Sequence, residues 1–332
     1  MKDTVDFIVV GAQKSGTTSL FEYLRQHPDI SMPEGKEVPY FSHQSAYARG
    51  WTDYVRNTFP FADEATKWGT ATPQYMTGGL WEETNSIRNG EEYDERTVPI
   101  RIAAQLPDVR LIAILRDPVA RARSHHRMAQ MNRIDRRSFS HAINDLLRPE
   151  ALEAARREPR ETTGYVTWGE YGRILQGYLD VFSQKQLLIV FTEELEVAPK
   201  RLLQRVQSFV GVQDDFVPPN VGTRFRVGAT ERRLPWLGAY SRLDPLGLQH
   251  TVSQISSVRR AWHLVPETGR RQIDRAFVQA TYRLDLWNRR ISQDVSEDDS
   301  EVVDRLRAHY EHDGMRLVEM LGQSIPWISR AT

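Results

Sequence analysis

Phe7-Ile8-Val9-Val10-Gly11-Ala12-Gln13-Lys14-Ser15-Gly16-Thr17-Thr18 is the stretch on which the fold turns. Its first four residues form a short, wholly apolar run rich in β-branched side chains, the composition of a parallel strand buried on both faces, and Gly11 ends it. Leu20, Tyr23, Leu24 and His27 then recur at helical spacing until Pro28 stops them. A strand, a glycine-bearing loop and a helix therefore follow in direct succession. In that context the N–H groups at the helix N-terminus and the hydroxyls of Ser15, Thr17 and Thr18 can surround a phosphate. An ATP-type P-loop needs lysine directly after its second glycine, but Thr17 stands there and the lysine is Lys14. The loop reads as a phosphate cradle of a different kind from that of an ATPase.

The same pattern recurs later in the chain. Leu111-Ile112-Ala113-Ile114-Leu115 is a second apolar run, followed by Arg116-Asp117-Pro118, where Asp117 suits a helix N-cap and Pro118 the first helical position. Leu187-Leu188-Ile189-Val190-Phe191 is a third, set between a helical face of Ile174, Leu175, Tyr178, Leu179 and Phe182 and another of Leu202, Leu203, Val206, Phe209 and Val210 stopped by Gly211. Alternating apolar strands and amphipathic helices predict an α/β fold: a P-loop-like parallel sheet flanked by helices, with ligands at the carboxyl ends of the strands. Arg116 ends the second strand and Ser124 lies about two turns into the next helix, so both can converge on a second anion at the same sheet edge. Two separated anion sites suggest a nucleotide phosphorylated at two places.

Farther on, Asn220 to Pro235, with Arg224, Arg226, Arg232 and Arg233, reads as a long basic loop. Val303, Leu306, Tyr310, Leu317 and Leu321 mark a late helix ended by Gly322, and Glu297-Asp298-Asp299 before it reads as a solvated, dipole-favoured first turn. We expect one domain over residues 1–332, in which 236–332 forms a helical C-terminal accessory region.

Composition narrows the function. Lysine plus arginine equals aspartate plus glutamate at 44 each, so no global positive field draws the 332-residue chain to nucleic acid or to an anionic membrane. An apolar share of 40% and a charged share of 27% suit a globular enzyme. The chain holds no cysteine, which excludes disulfides, thiolate catalysis and zinc–thiolate sites. The N-terminus runs straight into the first strand, with no signal-peptide pattern and no apolar stretch of about 18 residues, so the expectation is a cytoplasmic protein without a membrane span.

With both anion loops in view, the chain resembles the sulfotransferase family, in particular the branch of glycosaminoglycan (heparan sulfate) sulfotransferases and their bacterial relatives. Gly11 to Thr18 resembles that family's 5′-phosphosulfate loop, and Leu115-Arg116-Asp117-Pro118 through Arg121 and Ser124 its 3′-phosphate element. Asp6-Phe7 and His27-Pro28-Asp29 also fit. The resemblance implies 3′-phosphoadenosine 5′-phosphosulfate (PAPS) as co-substrate, adenosine 3′,5′-bisphosphate (PAP) as product, and no metal. It implies that Gln13, Lys14, Ser15, Gly16, Thr17 and Thr18 form the donor loop, with Lys14 at the bridging oxygen and sulfuryl group. It further implies that Arg116 and Ser124 hold the 3′-phosphate, and it makes Arg232 and Arg233 weaker candidates for donor contacts.

Glu37, in Lys36-Glu37-Val38-Pro39-Tyr40-Phe41, is similar in position to the branch's catalytic glutamate, whereas a glutamate beside a lysine, read alone, is a surface charge. Thr72-Pro73-Gln74-Tyr75 is similar to a segment lining the donor and acceptor cleft, although the lysine often found before it is Ala71 here. The late cysteine-bearing loop of the branch is also missing. The acceptor implied is a carbohydrate, lipid or natural product with a hydroxyl or amine.

His43, His125 and His126 read as surface or satisfied core histidines, Trp51, Trp68 and Trp168 as core, and Arg121, Arg123, Arg127 and Arg133 as a basic helix face that an anionic substrate could meet. Two other readings remain at this stage. A nucleotide kinase or phosphoryl transferase would need a magnesium-binding carboxylate after an apolar strand, for which Asp117 is the candidate. A catalytically inert nucleotide-binding protein would bind the donor without turnover.

Overall fold

The computed structural model describes residues 2–60, 62–77, 94–222, 230–232, 289–291 and 299–328. The chain divides into two compact units, residues 1–226 with 296–332, and residues 227–295. Five parallel strands organise the first unit: β1 (Phe7–Gly11), β2 (Ile30–Ser31), β3 (Lys67–Ala71), β4 (Arg110–Leu115) and β5 (Leu187–Phe191). Their order across the sheet is β2-β3-β1-β4-β5. The three apolar runs read from sequence are β1, β4 and β5, the central strands and one edge. In the second unit, β6 (Thr230–Arg232) pairs antiparallel with β7 (Arg289–Ile291), so these residues form a strand and not the loop expected from their composition.

Helices follow the strands in chain order. The first half contains α1 (Thr17–Leu24), α2 (Gln44–Ala48), α3 (Trp51–Thr58), α4 (Thr97–Gln105), α5 (Pro118–Met131) and α6 (Phe139–Leu146). The second contains α7 (Pro149–Arg157), α8 (Gly164–Thr167), α9 (Tyr171–Leu179), α10 (Thr192–Val197), α11 (Pro199–Val210) and the long α12 (Ser300–Leu321). A 3₁₀ turn, Pro73–Met76, follows β3. Among the described residues no helix is long and apolar enough to cross a membrane.

The continuous apolarity of β1 and β4 follows from cover on both faces. Ile8, Val10, Leu111, Ala113 and Leu115 pack on one side with Ile102 of α4 and Ile174, Leu175 and Tyr178 of α9. Phe7, Val9, Ile112 and Ile114 pack on the other with Leu20, Phe21 and Leu24 of α1 and Leu202, Leu203 and Val206 of α11. A third core joins α5, α6, α8 and α12 through Ala122, Ile143, Tyr165, Leu306 and Tyr310. All three tryptophans read as core are buried.

α12 ends at Gly322, a left-handed C-cap with φ 65°, as the sequence predicts. The residue before it departs from expectation. Asp299 is 8% exposed, bonds Arg123 at 3.2 Å and accepts from Ser140 Oγ, so it is a buried anchor and not a solvated turn. Glu297, Asp298 and Arg233 lie outside the described residues, as do most of residues 236–298.

Candidate active site

β1 and β4 are neighbours in register, Phe7 beside Arg110 and Val9 beside Ile112, with a bulge before Gly11. The loops that leave them therefore emerge side by side, and the Ala12 N–H donates to the Ile114 carbonyl at 2.8 Å. From β1 the chain passes to β2 and β3 on one side, then crosses to β4 and β5 on the other, which opens a crevice at the carboxyl ends where these sheets bind ligands.

The β1 loop turns sharply into α1. Gly16 is its N-cap at φ 93°, a left-handed conformation that costs a residue with a Cβ about 1–2 kcal/mol, and Lys14 adopts φ 68°. No side chain caps α1, so its first-turn N–H groups keep the character of an anion site. Ser15 is fully buried and its Oγ has no hydrogen-bond partner, nor has the buried Oε1 of Gln13. Thr17 is buried and Thr18 half-buried.

The loop is braced from beneath by Thr192, the first residue after β5. Its hydroxyl lies 2.6 Å from the Ser15 carbonyl and 2.9 Å from the Leu115 carbonyl, sharing one proton between the loops that follow β1 and β4. Tyr171, at the start of α9, sits beside the Ser15 hydroxyl and the Arg116 backbone without hydrogen-bond geometry to either, and burial pushes its phenol up to about 12.

The β4 loop follows expectation. Asp117 caps α5 by accepting from the Ala120 N–H at 2.6 Å, and its own N–H donates to Glu193 Oε1 at 3.0 Å. The carboxylate a kinase would need for magnesium is thus engaged as a helix cap. Arg116 and Ser124 are both half-buried at this end of the sheet. Lys14 Nζ lies 3.6 Å from Met128 Sδ, and Met128 is one helical turn beyond Ser124 on the same face of α5. The lysine of the β1 loop thus reaches the helix that carries Ser124.

Glu37 comes from the other side. Thr72 follows β3 directly and donates its N–H to the Val9 carbonyl of β1 at 3.0 Å, which sets the 3₁₀ turn against the phosphate loop. The approach is close enough that a Cβ at Gly11 would fall 2.6 Å from Met76 Sδ. The segment bearing Glu37 is pinned to that turn: Val38 N–H donates to Thr72 Oγ1 at 3.3 Å, and Tyr75 Oη accepts from the N–H groups of Tyr40 at 3.0 Å and Phe41 at 3.3 Å. Glu37 itself is 39% exposed, ion-paired with Lys36 at 2.9 Å, and accepts from Gln74 Nε2 at 2.8 Å. Gln74 thus aims the carboxylate, a role sequence reading did not assign. Ala71 is fully buried in β3.

α5 is less basic at its surface than its sequence suggests. Arg121 is 0% exposed and donates to the carbonyls of Gly164 at 3.1 Å and Tyr165 at 2.5 Å. His125, also fully buried, lies 2.6 Å from Glu161 through Nε2 and 3.4 Å from Arg121 through Nδ1. Burial pushes its imidazole down to about 4, against the opposing pull of Glu161, so near neutrality Nε2–H donates to the carboxylate. Glu161 also accepts from Gln13 Nε2 at 3.1 Å. Burial raises its carboxyl, and His125, Gln13 and Lys14 together more than reverse that. Glu161, in Pro159-Arg160-Glu161-Thr162-Thr163, carries no periodicity or spacing that marks it in sequence; Thr192 could have been found from its place directly after an apolar strand. The structure gathers the loop 13–18, Arg116 and Ser124 at one sheet edge and sets Glu37 on the turn packed against that loop. Only the backbone of Arg232 is described, in β6, and Arg233 is outside the described residues.

The Sulfotransferase domain profile matches residues 4–221, about two thirds of the chain. The chain belongs to the sulfotransferase domain family. It is 31% identical over 209 residues to the heparan sulfate glucosamine 3-O-sulfotransferase 3A1 of Mus musculus, covering 62% of this chain and 45% of that one. It is 29% identical over 214 residues to the bifunctional heparan sulfate N-deacetylase/N-sulfotransferase 3 of Homo sapiens, covering 62% and 22%. The chain thus spans less than half the length of these curated relatives. A sulfotransferase crystal structure from Alicyclobacillus acidocaldarius has the same fold, with a TM-score of 0.53 at 24% identity over 77% of this chain and 99% of that one.

Proposed function

We propose that this chain transfers a sulfuryl group from 3′-phosphoadenosine 5′-phosphosulfate to a hydroxyl or amine, a carbohydrate being the acceptor that its similarity to heparan sulfate sulfotransferases favours. The observation that carries the reading is the juxtaposition of two anion loops on adjacent strands, with Lys14 reaching α5 one turn from Ser124. The donor has two separated anionic ends, and the two loops supply one cradle for each. The buried, unpartnered Ser15 Oγ is a hydroxyl positioned to donate to such an anion.

In the transfer, the acceptor oxygen or nitrogen bonds to sulfur as the bond from sulfur to the bridging oxygen breaks, and that electron pair stays on the 5′-phosphate. Lys14 and the α1 N-terminus meet the negative charge that grows on the leaving oxygen. Arg116 and Ser124 hold the 3′-phosphate, and the two loops fix the donor so that displacement is in line. Glu37, aimed by Gln74 and Lys36, takes the acceptor proton as the new bond forms.

The test has two arms. Mass spectrometry of incubations with the phosphosulfate donor and a panel of glycan, lipid and natural-product acceptors should show a sulfate-sized mass gain. Calorimetry should show adenosine 3′,5′-bisphosphate binding well above adenosine 5′-monophosphate, since charge-assisted hydrogen bonds contribute about 1.5–3 kcal/mol each, and Arg116→Ala should abolish that preference. Equal affinity for the two nucleotides would overturn the assignment of the second loop.

A further inference from the structure

Glu161 lies in the turn before α8, with one carboxylate oxygen on the phosphate loop and the other on α5, the helix that carries Ser124. Oε1 accepts from Gln13 Nε2 at 3.1 Å and Oε2 from His125 at 2.6 Å. His125 cannot turn away. Its ring is stacked on Trp168 with centroids 4.8 Å apart and planes 17° apart, and set edge-on to Tyr165 at 4.8 Å. The carboxylate is therefore held at one place, between Gln13 and His125.

Two consequences follow from its charge. A carboxylate accepts only, so it selects the amide orientation that points Gln13 Nε2 towards it and leaves Oε1 buried elsewhere; the reversed amide would set two acceptors together. Lys14, resting 3.6 Å from Met128 Sδ, feels the same charge and contributes to keeping Glu161 ionised. A phosphosulfate donor and its bisphosphate product are polyanions, so Glu161 repels what the cradle attracts.

We propose that Glu161 is a positioning residue that holds Gln13 in place while no nucleotide is bound and, by its negative charge, limits retention of the bisphosphate product. The inference rests on the sulfotransferase reading above. Neutralising Glu161 removes a like charge beside the anion site and the electrostatic pull it exerts on Lys14, which tightens nucleotide binding and slows release.

The experiment compares wild type, Glu161→Gln and Glu161→Asp, with adenosine 3′,5′-bisphosphate as the probe, by calorimetry for affinity and stopped flow for dissociation. Glu161→Gln should bind roughly 3- to 10-fold tighter and release correspondingly more slowly, the size expected for one partly screened charge. Glu161→Asp, which keeps the charge, should stay within about twofold of wild type. In turnover, Glu161→Gln should lower both the donor KM and kcat, a split that loss of a merely structural contact does not produce. If Glu161→Gln does not fold, the equally neutral Glu161→Ser carries the comparison. Unchanged or weaker binding by a folded neutral variant overturns the proposal while leaving the sulfotransferase reading intact. If wild type itself binds no nucleotide, that reading falls and the inference with it.

Discussion

Lys14 and Glu37 stand on opposite sides of the proposed transfer, one for the leaving oxygen and one for the incoming proton, and their substitutions should fail in different ways. Charge on the leaving oxygen grows mainly in the transition state, so Lys14→Ala should lose roughly 10²-fold or more in turnover with a smaller loss in donor affinity. Glu37→Gln keeps size and one acceptor but removes basicity; turnover should drop roughly 10²- to 10⁴-fold with product binding nearly unchanged. Single-turnover rates beside calorimetric affinities separate the two, and a Glu37→Gln enzyme retaining more than about a tenth of wild-type turnover would move the base elsewhere. His125 gives a pH signature. Its folded pKa lies below the unfolded value, so the stability it confers is complete above about 6.5 and is lost as pH falls toward 4, on the order of 3 kcal/mol. Thermal unfolding of wild type should therefore fall more steeply across that window than unfolding of His125→Asn. Parallel slopes would show that the imidazole titrates alike folded and unfolded.

At the scale of elements, Glu37 depends on the fit between its own irregular segment and the 3₁₀ turn after β3. Tyr75 makes that fit, accepting two backbone N–H groups and lying 3.2 Å from the Val38 carbonyl, to which its hydroxyl donates. Tyr75→Phe leaves the buried Phe41 N–H without its partner, while the Tyr40 N–H keeps the Val38 carbonyl at 2.8 Å, and should cost about 1–3 kcal/mol. It should also slow turnover while leaving bisphosphate affinity unaltered, because the donor loops do not rest on this turn's hydroxyl. Denaturant unfolding and the same calorimetry check both halves. Asp117 and Pro118 show the opposite situation, in which local chemistry suffices: an N-cap and a first-turn proline start α5 where the sequence predicts. The helix faces read from the periodicities of α9 and α11 are likewise the faces the structure buries, because a repeat of 3.6 needs only one apolar surface to pack on.

At the scale of the whole molecule, the long α12 supports the site through α9. Asp313 of α12 accepts from the N–H groups of Gly172 and Arg173, both at 2.8 Å, and so caps α9 from a distant part of the chain. α9 begins at Tyr171, beside Ser15 and Arg116. Glu170, 2% exposed, is ion-paired with Arg156 at 2.7 Å and Arg173 at 2.7 Å and lies within hydrogen-bond distance, 3.0 Å, of His309 Nε2 of α12. Asp313→Ala should cost about 2–3 kcal/mol through loss of two charge-assisted hydrogen bonds, with Asp313→Asn intermediate. Thermal melts in the presence and absence of bisphosphate check it; a melting temperature equal to wild type would show that the cap contributes nothing.

The parallel α/β class, the three apolar strands, the glycine-bearing turn of Gly11 to Thr18 between strand and helix and the capped helix after Arg116 are all legible in the chain, because each is written in residues close along it. Strand apolarity reports cover on both faces, and a loop between strand and helix carries its anion site in its own backbone. What lies next to those elements follows only from how distant segments pack together. Arg121 is a buried strut for the Gly164 and Tyr165 carbonyls, Asp299 is an internal anchor, Thr192 joins the loops that follow β1 and β4, and Gln74 and Glu161 orient side chains far from them in sequence. Such partnerships leave no period or spacing behind. A carboxylate or hydroxyl on a loop looks the same in sequence whether it faces water or a phosphate loop, and only the packing of one segment on another supplies its partner.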